Sequence, residues 1–281
     1  MNSVMSAFDM LMKIAEQNIT RNDDDYIEDG LLMCGKCHTP KQCRVKVLDQ
    51  VKMPYCACKC ESEKLQREAA EQECREKAAK IEKLRIMGFP DAEMRNFVFE
   101  KDDLANTKIS RAAMNYVDNF PKMMQLHKGL LLYGPVGTGK TFMAACIANA
   151  LIDCGYTCLV TNFARLVNTI TGCENRQSYI DGLNEFALLV IDDLAAERDT
   201  EYMQEIVTNI IDARYRSGKP MIVTTNLTAD ELKFPQDMRR KRVYSRLFEM
   251  CYPIEVDGRD RRKERLKNDF RELGELLGVE V

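Results

Sequence analysis

The stretch GPVGTGKT, residues 134 to 141, constrains the fold more than any other part of the chain. Gly134, Gly137 and Gly139 permit a tight backbone turn whose amides point inward. An apolar run, LLLY, leads into the turn and TFMAACIANAL, which reads as a helix, leads out of it. A strand, a glycine-rich turn and a helix in that order gather backbone N–H groups and a helix N-terminus around one point, an anion site suited to phosphate. Lys140 can reach β- and γ-phosphates and the Thr141 hydroxyl can bind magnesium. The expected ligand is therefore a nucleoside triphosphate, with Pro135, Val136, Thr138 and Phe142 completing the loop around it.

Further apolar runs follow at the spacing of a layered fold. GLLLYG, TCLVTNF, LLVIDDL and PMIVTTNL read as strands with amphipathic stretches between them, and MCYPIEV is a weaker fifth. Their Leu, Ile and Val are continuous rather than alternating, which predicts strands covered on both faces, hence an α/β fold with a parallel sheet flanked by helices. The segment from about Pro235 onward is charged and helical in pattern and is expected to form a small helical part, a candidate lid. At the end of LLVIDDL, Asp192 is placed to hold magnesium and Asp193 to orient or deprotonate an attacking water, with Glu197 a weaker candidate for that base. Asn226, ending MIVTTN, is a candidate sensor of the γ-phosphate. Two arginine clusters, at 239 to 249 and 258 to 265, suit either the charge that develops in phosphoryl transfer or a solvated or DNA-contacting face.

The N-terminal part differs in kind. Cys34, Cys37, Cys43, Cys56, Cys58 and Cys60 fall within 27 residues, and the other six cysteines are scattered. The start of the chain shows no basic leader ahead of a long apolar run, so the expected setting is cytoplasmic, where clustered cysteines point to metal rather than disulfides. CGKC and CACKC, about twenty residues apart, suit one tetrahedral zinc between two knuckles. Cys34 and Cys37 are the firmer half. Six cysteines exceed the four needed, and Cys43 or His38 are remoter options. Redox switching by CGKC is a minor alternative, and a catalytic zinc is disfavoured for want of a nearby acid or base. A module this small lacks core and would be held together by its metal. ESEKLQREAAEQECREKAAKIEKLR, 61 to 85, reads as a connecting helix that GFP at 88 to 90 breaks, because Pro90 cannot continue it. The expected division is 1–62, 63–88 and 89–281.

The order GPVGTGKT, LLVIDDL, IIDARYRSGKP, VTTNL, VYSRL and a GxDxR-like element resembles the AAA+ helicase loaders of the DnaC and DnaI type and the related IstB-like ATPases of transposons, over roughly residues 85 to 270. The resemblance implies an AAA+ ATPase domain. It implies that Arg246 of SRL is an arginine finger offered to a neighbouring protomer, with Arg242 a substitute. It also implies that Arg262 is the second sensor arginine, with Arg261 one position away. Cys58 and Cys60, behind Met53 and Pro54, resemble the C-x-C pair of Firmicutes-type relatives, giving Cys34, Cys37, Cys58 and Cys60 as zinc ligands, with Cys56 able to replace one of the second pair. The implied function is an ATP- and magnesium-dependent homo-oligomer that loads a DnaB-type replicative helicase onto single-stranded DNA. In that scheme the zinc module, with the preceding helix SAFDMLMKIAEQ, carries partner binding through Phe8, Leu11, Met12 and Ile14 or uses them as core. An IstB-type regulator of transposition is the alternative, and a nucleotide-binding adaptor without turnover a third reading. A net charge of −3, from 41 basic against 44 acidic side chains, argues against a protein that coats nucleic acid by bulk charge, so DNA contact would be focused. No run approaches the ~20 apolar residues of a membrane helix.

Overall fold

The computed structural model describes residues 21–47, 50–102, 107–194, 201–235 and 237–263, with 266, 270, 273, 276, 277 and 279 beyond them. The helix expected over SAFDMLMKIAEQ and the Glu197 candidate lie outside the described residues. The chain divides into two compact units, Met1–Ala78 and Ala79–Val281.

In the first unit β1 (Tyr26–Glu28) pairs antiparallel with β2 (Leu31–Met33), and β3 (Val45–Val47) with β4 (Gln50–Lys52). Asp29 and Gly30 join the first pair with φ of 48° and 75°, the Asp-Gly hairpin turn whose twist matches that of the strands. Beyond Asp25 and Lys41, the buried residues described in this unit are Leu32, Cys34, Pro54 and Cys58. So few apolar groups cannot offset the chain entropy of folding, so the cysteines must contribute more than packing. Helix α1 (Lys59–Gly88) begins here and ends in the second unit. Its exposed surface is laced by i,i+4 pairs, Lys64–Glu68, Arg67–Glu71 and Glu73–Lys77, solvent-screened contacts that favour the helix only weakly. Gly88 closes it ahead of Pro90, and only its last turns, through Ile81 and Leu84, reach a core.

The second unit is built on a five-stranded sheet in the order β6-β7-β8-β5-β9, every pair parallel. The strands are β5 (Gly129–Tyr133), β6 (Cys158–Asn162), β7 (Leu188–Leu194), β8 (Met221–Thr225) and β9 (Cys251–Glu255). Successive side chains take opposite faces: Leu131, Ile191 and Val223 enter one core, and Leu130, Leu132, Val190 and Ile222 the other. That double burial is why their sequences run apolar without alternation. One core is closed by α5 (Phe163–Gly172), α6 (Arg176–Leu183), α7 (Glu201–Ser217), α8 (Ala229–Lys233) and α9 (Met238–Met250). The other is closed by α2 (Lys108–Asp118), α3 (Phe120–Gln125) and α4 (Lys140–Asp153).

In the segment after Pro235 the weaker fifth strand expected in MCYPIEV forms, Cys251–Glu255 joining the main sheet as β9. Val256 N donates to Tyr133 O at 2.8 Å, so alternate residues 252 and 254 face β5, and Pro253 faces outward, where its missing N–H costs no ladder bond. No described helix is long and apolar enough to cross a membrane.

Candidate functional site

The turn between β5 and α4 is the loop the sequence predicts. Gly134, Gly137 and Gly139 hold φ of 136°, 83° and 97°, in the left-handed range that side chains rarely adopt. A Cβ on Gly137 would also lie 2.0 Å from Asp260 Oδ1. Helices α2, α5, α6, α8 and α9 are capped by the side chains of Thr107, Asn162, Asn175, Thr228 and Asp237. Helix α4 instead begins on Gly139 with no side-chain cap, so its first N–H groups are left for an anion. Inside the turn Thr138 Oγ1 donates to Pro135 O at 2.9 Å, and Lys140 Nζ donates to Gly134 O and Pro135 O at 2.9 and 2.7 Å. Burial holds the Lys140 ammonium below the usual lysine range, Arg262 adding to the shift and Asp193 and Asp192 opposing it. An ammonium bonded only to loop carbonyls gains when phosphate oxygens replace them.

Asp192 lies buried near the end of β7, and Thr141 Oγ1 lies within hydrogen-bond distance of both its oxygens, at 2.8 and 3.0 Å. Thr224 Oγ1 on β8 donates to Asp192 Oδ1 at 2.5 Å and accepts from the Asp193 N–H at 3.0 Å. Burial lifts the Asp192 carboxyl above its ordinary range, against the Thr224 and Thr141 bonds and Lys140, with Asp193 adding to the rise. A hydroxyl and a carboxylate in contact are the hard oxygen donors that magnesium takes, and its charge would offset that desolvation. Asp193 is exposed, with φ of 56°, an uncommon conformation for a non-glycine residue that goes with the register shift in β7 between Ile191 and Leu194, both of which pair with β8.

These groups open on a cavity of about 530 Å³ lined by Val136, Gly137, Gly139, Lys140, Thr141 and Phe142 from the loop and helix, and by Asp193 and Asn226 from strand ends. Arg261, Arg262 and Leu266 line it from the C-terminal segment. The two adjacent arginines differ. Arg261 donates its main-chain N–H to Gly137 O at 3.0 Å and sets Nη2 3.6 Å from the buried Asp102 carboxylate, whereas the charge of Arg262 bears on Lys140. Glu93, Met94 and Phe97 also line the cavity, with the Phe97 and Phe142 rings 5.3 Å apart, and sequence reasoning missed all three. Thr224 was missed as well, although it stands in VTTNL two residues before Asn226.

Arg246 does not reach the cavity of its own chain. It projects from α9 onto α7, paired with Asp212 and with its guanidinium 6.0 Å from the centre of the Tyr215 ring. Arg242 lines a separate groove with Arg239, Glu201 and Tyr202.

In the first unit Cys34, Cys37, Cys58 and Cys60 bring all four sulfurs within 4.8 Å of one another, with Cys34–Cys60 at 3.6 Å and Cys58–Cys60 at 3.4 Å. Bonds of about 2.3 Å to a tetrahedral zinc imply sulfur separations of about 3.8 Å, so the cluster fits that ion. Cys43, Cys56 and His38 are not in the cluster. The CGKC turn is tight: a Cβ on Gly35 would meet Asp24 O at 2.1 Å. A hydrogen bond from the Thr39 hydroxyl, and then the Cys60 backbone, bring the Cys37 thiol down to about 5. The neighbouring Cys58, Cys37 and Cys34 thiols push Cys60 up to about 12. A bound zinc would let all four sulfurs ionise.

The sequence matches the IstB-like ATP binding protein family over residues 56–268. It is 29% identical over 181 residues to the replicative helicase loader DnaI of Bacillus subtilis (strain 168), a match covering 58% of this chain and 58% of that one. It is 26% identical over 190 residues to a putative insertion-sequence ATP-binding protein of Mycobacterium tuberculosis (strain ATCC 25618 / H37Rv), covering 66% of this chain and 74% of the relative. Among solved structures, the crystal structure of the DnaC helicase loader aligns over 59% of this chain and 99% of its own length with a TM-score of 0.50 at 22% identity, a likeness of fold.

Proposed function

Since the chain belongs to the IstB-like ATP-binding protein family, we propose that its cavity binds and hydrolyses ATP with magnesium, and that this cycle loads a DnaB-type replicative helicase onto single-stranded DNA. One observation carries the nucleotide chemistry. An uncapped helix N-terminus, Lys140, Thr141, Asp193 and Asn226 all line one cavity, with Asp192 in contact with the Thr141 hydroxyl. Gly134 to Phe142 wrap the phosphates, and Lys140 leaves the loop carbonyls for the β- and γ-phosphate oxygens. Thr141 and Asp192 hold magnesium, which supplies positive charge to the phosphates when bound. Asp193 orients the attacking water and receives its proton, Asn226 contacts the γ-phosphate, and Arg262 reads its presence from the C-terminal segment. Phe97, Phe142 and Met94 offer apolar faces to the base.

Arg246 completes the site of a neighbouring copy once it leaves Asp212, which makes the active form a homo-oligomer. Hydrolysis abolished by Arg246→Ala is then expected to return when that variant is mixed with Lys140→Ala protomers, each supplying what the other lacks. The measurement is phosphate release against mixing ratio, and a flat line at zero would count against a shared site.

The four cysteines hold zinc, and the module they fold grips the helicase. Native mass spectrometry of the protein with its host's replicative helicase, ATP and magnesium should show a complex of defined stoichiometry that is lost on truncation of residues 1–62. Absence of a complex in every nucleotide state would sink the loader reading. A complex with duplex DNA and a transposase would then favour the alternative, an IstB-type regulator of transposition, toward which the insertion-sequence relative points.

A further inference from the structure

The cysteine cluster leaves one feature of its unit unexplained, a buried ion pair. Lys41 and Asp25 are 3% and 6% exposed, with Nζ 2.6 Å from Oδ2. Two charges in a unit with almost no apolar core are costly to desolvate, and a pair serving only to fill space is readily replaced by apolar side chains. The placement of this pair is specific. The Lys41 N–H donates to Leu32 O at 2.7 Å, two residues before Cys34, and Lys41 O accepts from Cys56 N at 2.8 Å, two residues before Cys58. Lys41 is thus stitched between the two halves of the cluster. Asp25 reaches into the first half, Oδ1 accepting from Gly35 N at 3.2 Å, while Oδ2 also accepts from Asn22 N at 2.8 Å. Burial opposes the Lys41 charge, yet Asp25 and then Cys34 and Cys58 sustain it.

We propose that Lys41 is a positioning residue of the tetrathiolate zinc site, its buried ammonium offsetting the site's excess negative charge, with Asp25 competing with the sulfurs for that charge. The inference rests on the zinc reading above. Four thiolates around a divalent cation leave a net charge of about −2, and in a water-poor module that excess is relieved by a fixed cation between the ligand pairs.

The test uses the full chain, stripped of metal and titrated with cobalt(II) and with zinc against a chromophoric chelator. The wild type should show the thiolate-to-cobalt bands of a tetrahedral four-sulfur site. Lys41→Met should weaken zinc binding about 10- to 100-fold, as loss of an outer-shell partner does, and Lys41→Arg should stay within about threefold of wild type. Asp25→Asn keeps an oxygen for Gly35 N but deletes the competing carboxylate, so it should bind zinc at least as tightly as wild type. Equal weakening by Lys41→Met and Asp25→Asn would mean a purely structural pair and overturn the proposal, as would unchanged affinity in Lys41→Met. If Lys41→Met gives no cobalt bands at saturation, Asp25→Asn alone decides, tighter or equal binding supporting the proposal and weaker binding overturning it. A wild type without cobalt–thiolate bands would overturn the zinc reading itself.

Discussion

Lys140→Ala is expected to lower ATP turnover about a hundred- to a thousandfold, the cost of deleting one preorganised charge at a transition state. The side chain is 5% exposed and already desolvated, so little reorganisation separates its present bonds to Gly134 O and Pro135 O from bonds to phosphate oxygens. Among the described residues the substitution removes the one lysine that lines the cavity. It also strips a donor from two loop carbonyls, which costs the fold about 1 kcal/mol and leaves the sheet intact. Steady-state phosphate release with a thermal melt of the same sample separates these effects. Turnover within a few-fold of wild type would show that hydrolysis occurs elsewhere or through other groups.

Arg214→Met is expected to destabilise the second unit by about 3–5 kcal/mol, the cost of emptying a buried charged site whose partners remain. Arg214 is fully buried on α7, and the five hydrogen bonds described for it all end on backbone carbonyls, those of Leu183, Phe186, Ala187 and Pro220. Burial pushes its pKa down to about 10, so it stays charged at neutral pH. The guanidinium fork closes the entries to β7 and β8 together, where main-chain oxygens have left one element and not yet joined the next. Methionine fills much of the volume but donates nothing, so those oxygens lose their partner out of reach of water. In a unit of this size the melting temperature should fall by roughly 10 °C. A shift of only a degree or two would mean that water replaces the guanidinium, and Arg214 would then be ordinary packing. Arg214 stands within IIDARYRSGKP, and these bonds give that stretch a physical reason for its arginine.

Much of this architecture is legible in sequence because it rests on local rules. GPVGTGKT announces its conformation through three glycines, and the runs LLLY, CLVTN, LLVIDDL and MIVTT announce burial on both faces. CGKC and the later cysteines announce a metal module through spacing, but six cysteines for four places leave the ligand set open, and only the fold gathers Cys34, Cys37, Cys58 and Cys60. MCYPIEV was harder, since Pro253 argues against a strand until the sheet edge is known. What could not be read depends on where distant segments meet. Phe97 and Glu93 carry no motif, and only the fold brings them to Phe142. Thr224 looks like any strand threonine until β8 lies beside β7 and its hydroxyl reaches both Asp192 and the Asp193 amide. Arg261 and Arg262 are interchangeable in a pattern search, and Asp102 separates them only in space. The pairing of Arg246 with Asp212 crosses two helices and leaves no trace in either sequence.

The outward-facing proline of β9 has a consequence for how copies of this chain can meet. A parallel sheet that ends on an open strand offers a row of donors and acceptors on which another chain could continue it. Pro253 breaks that row in the middle of the terminal strand, and the sheet therefore cannot be lengthened cleanly on that side. If copies of this chain assemble as proposed, they are thereby steered away from fibre-like stacking of sheets and left to recognise one another through side chains.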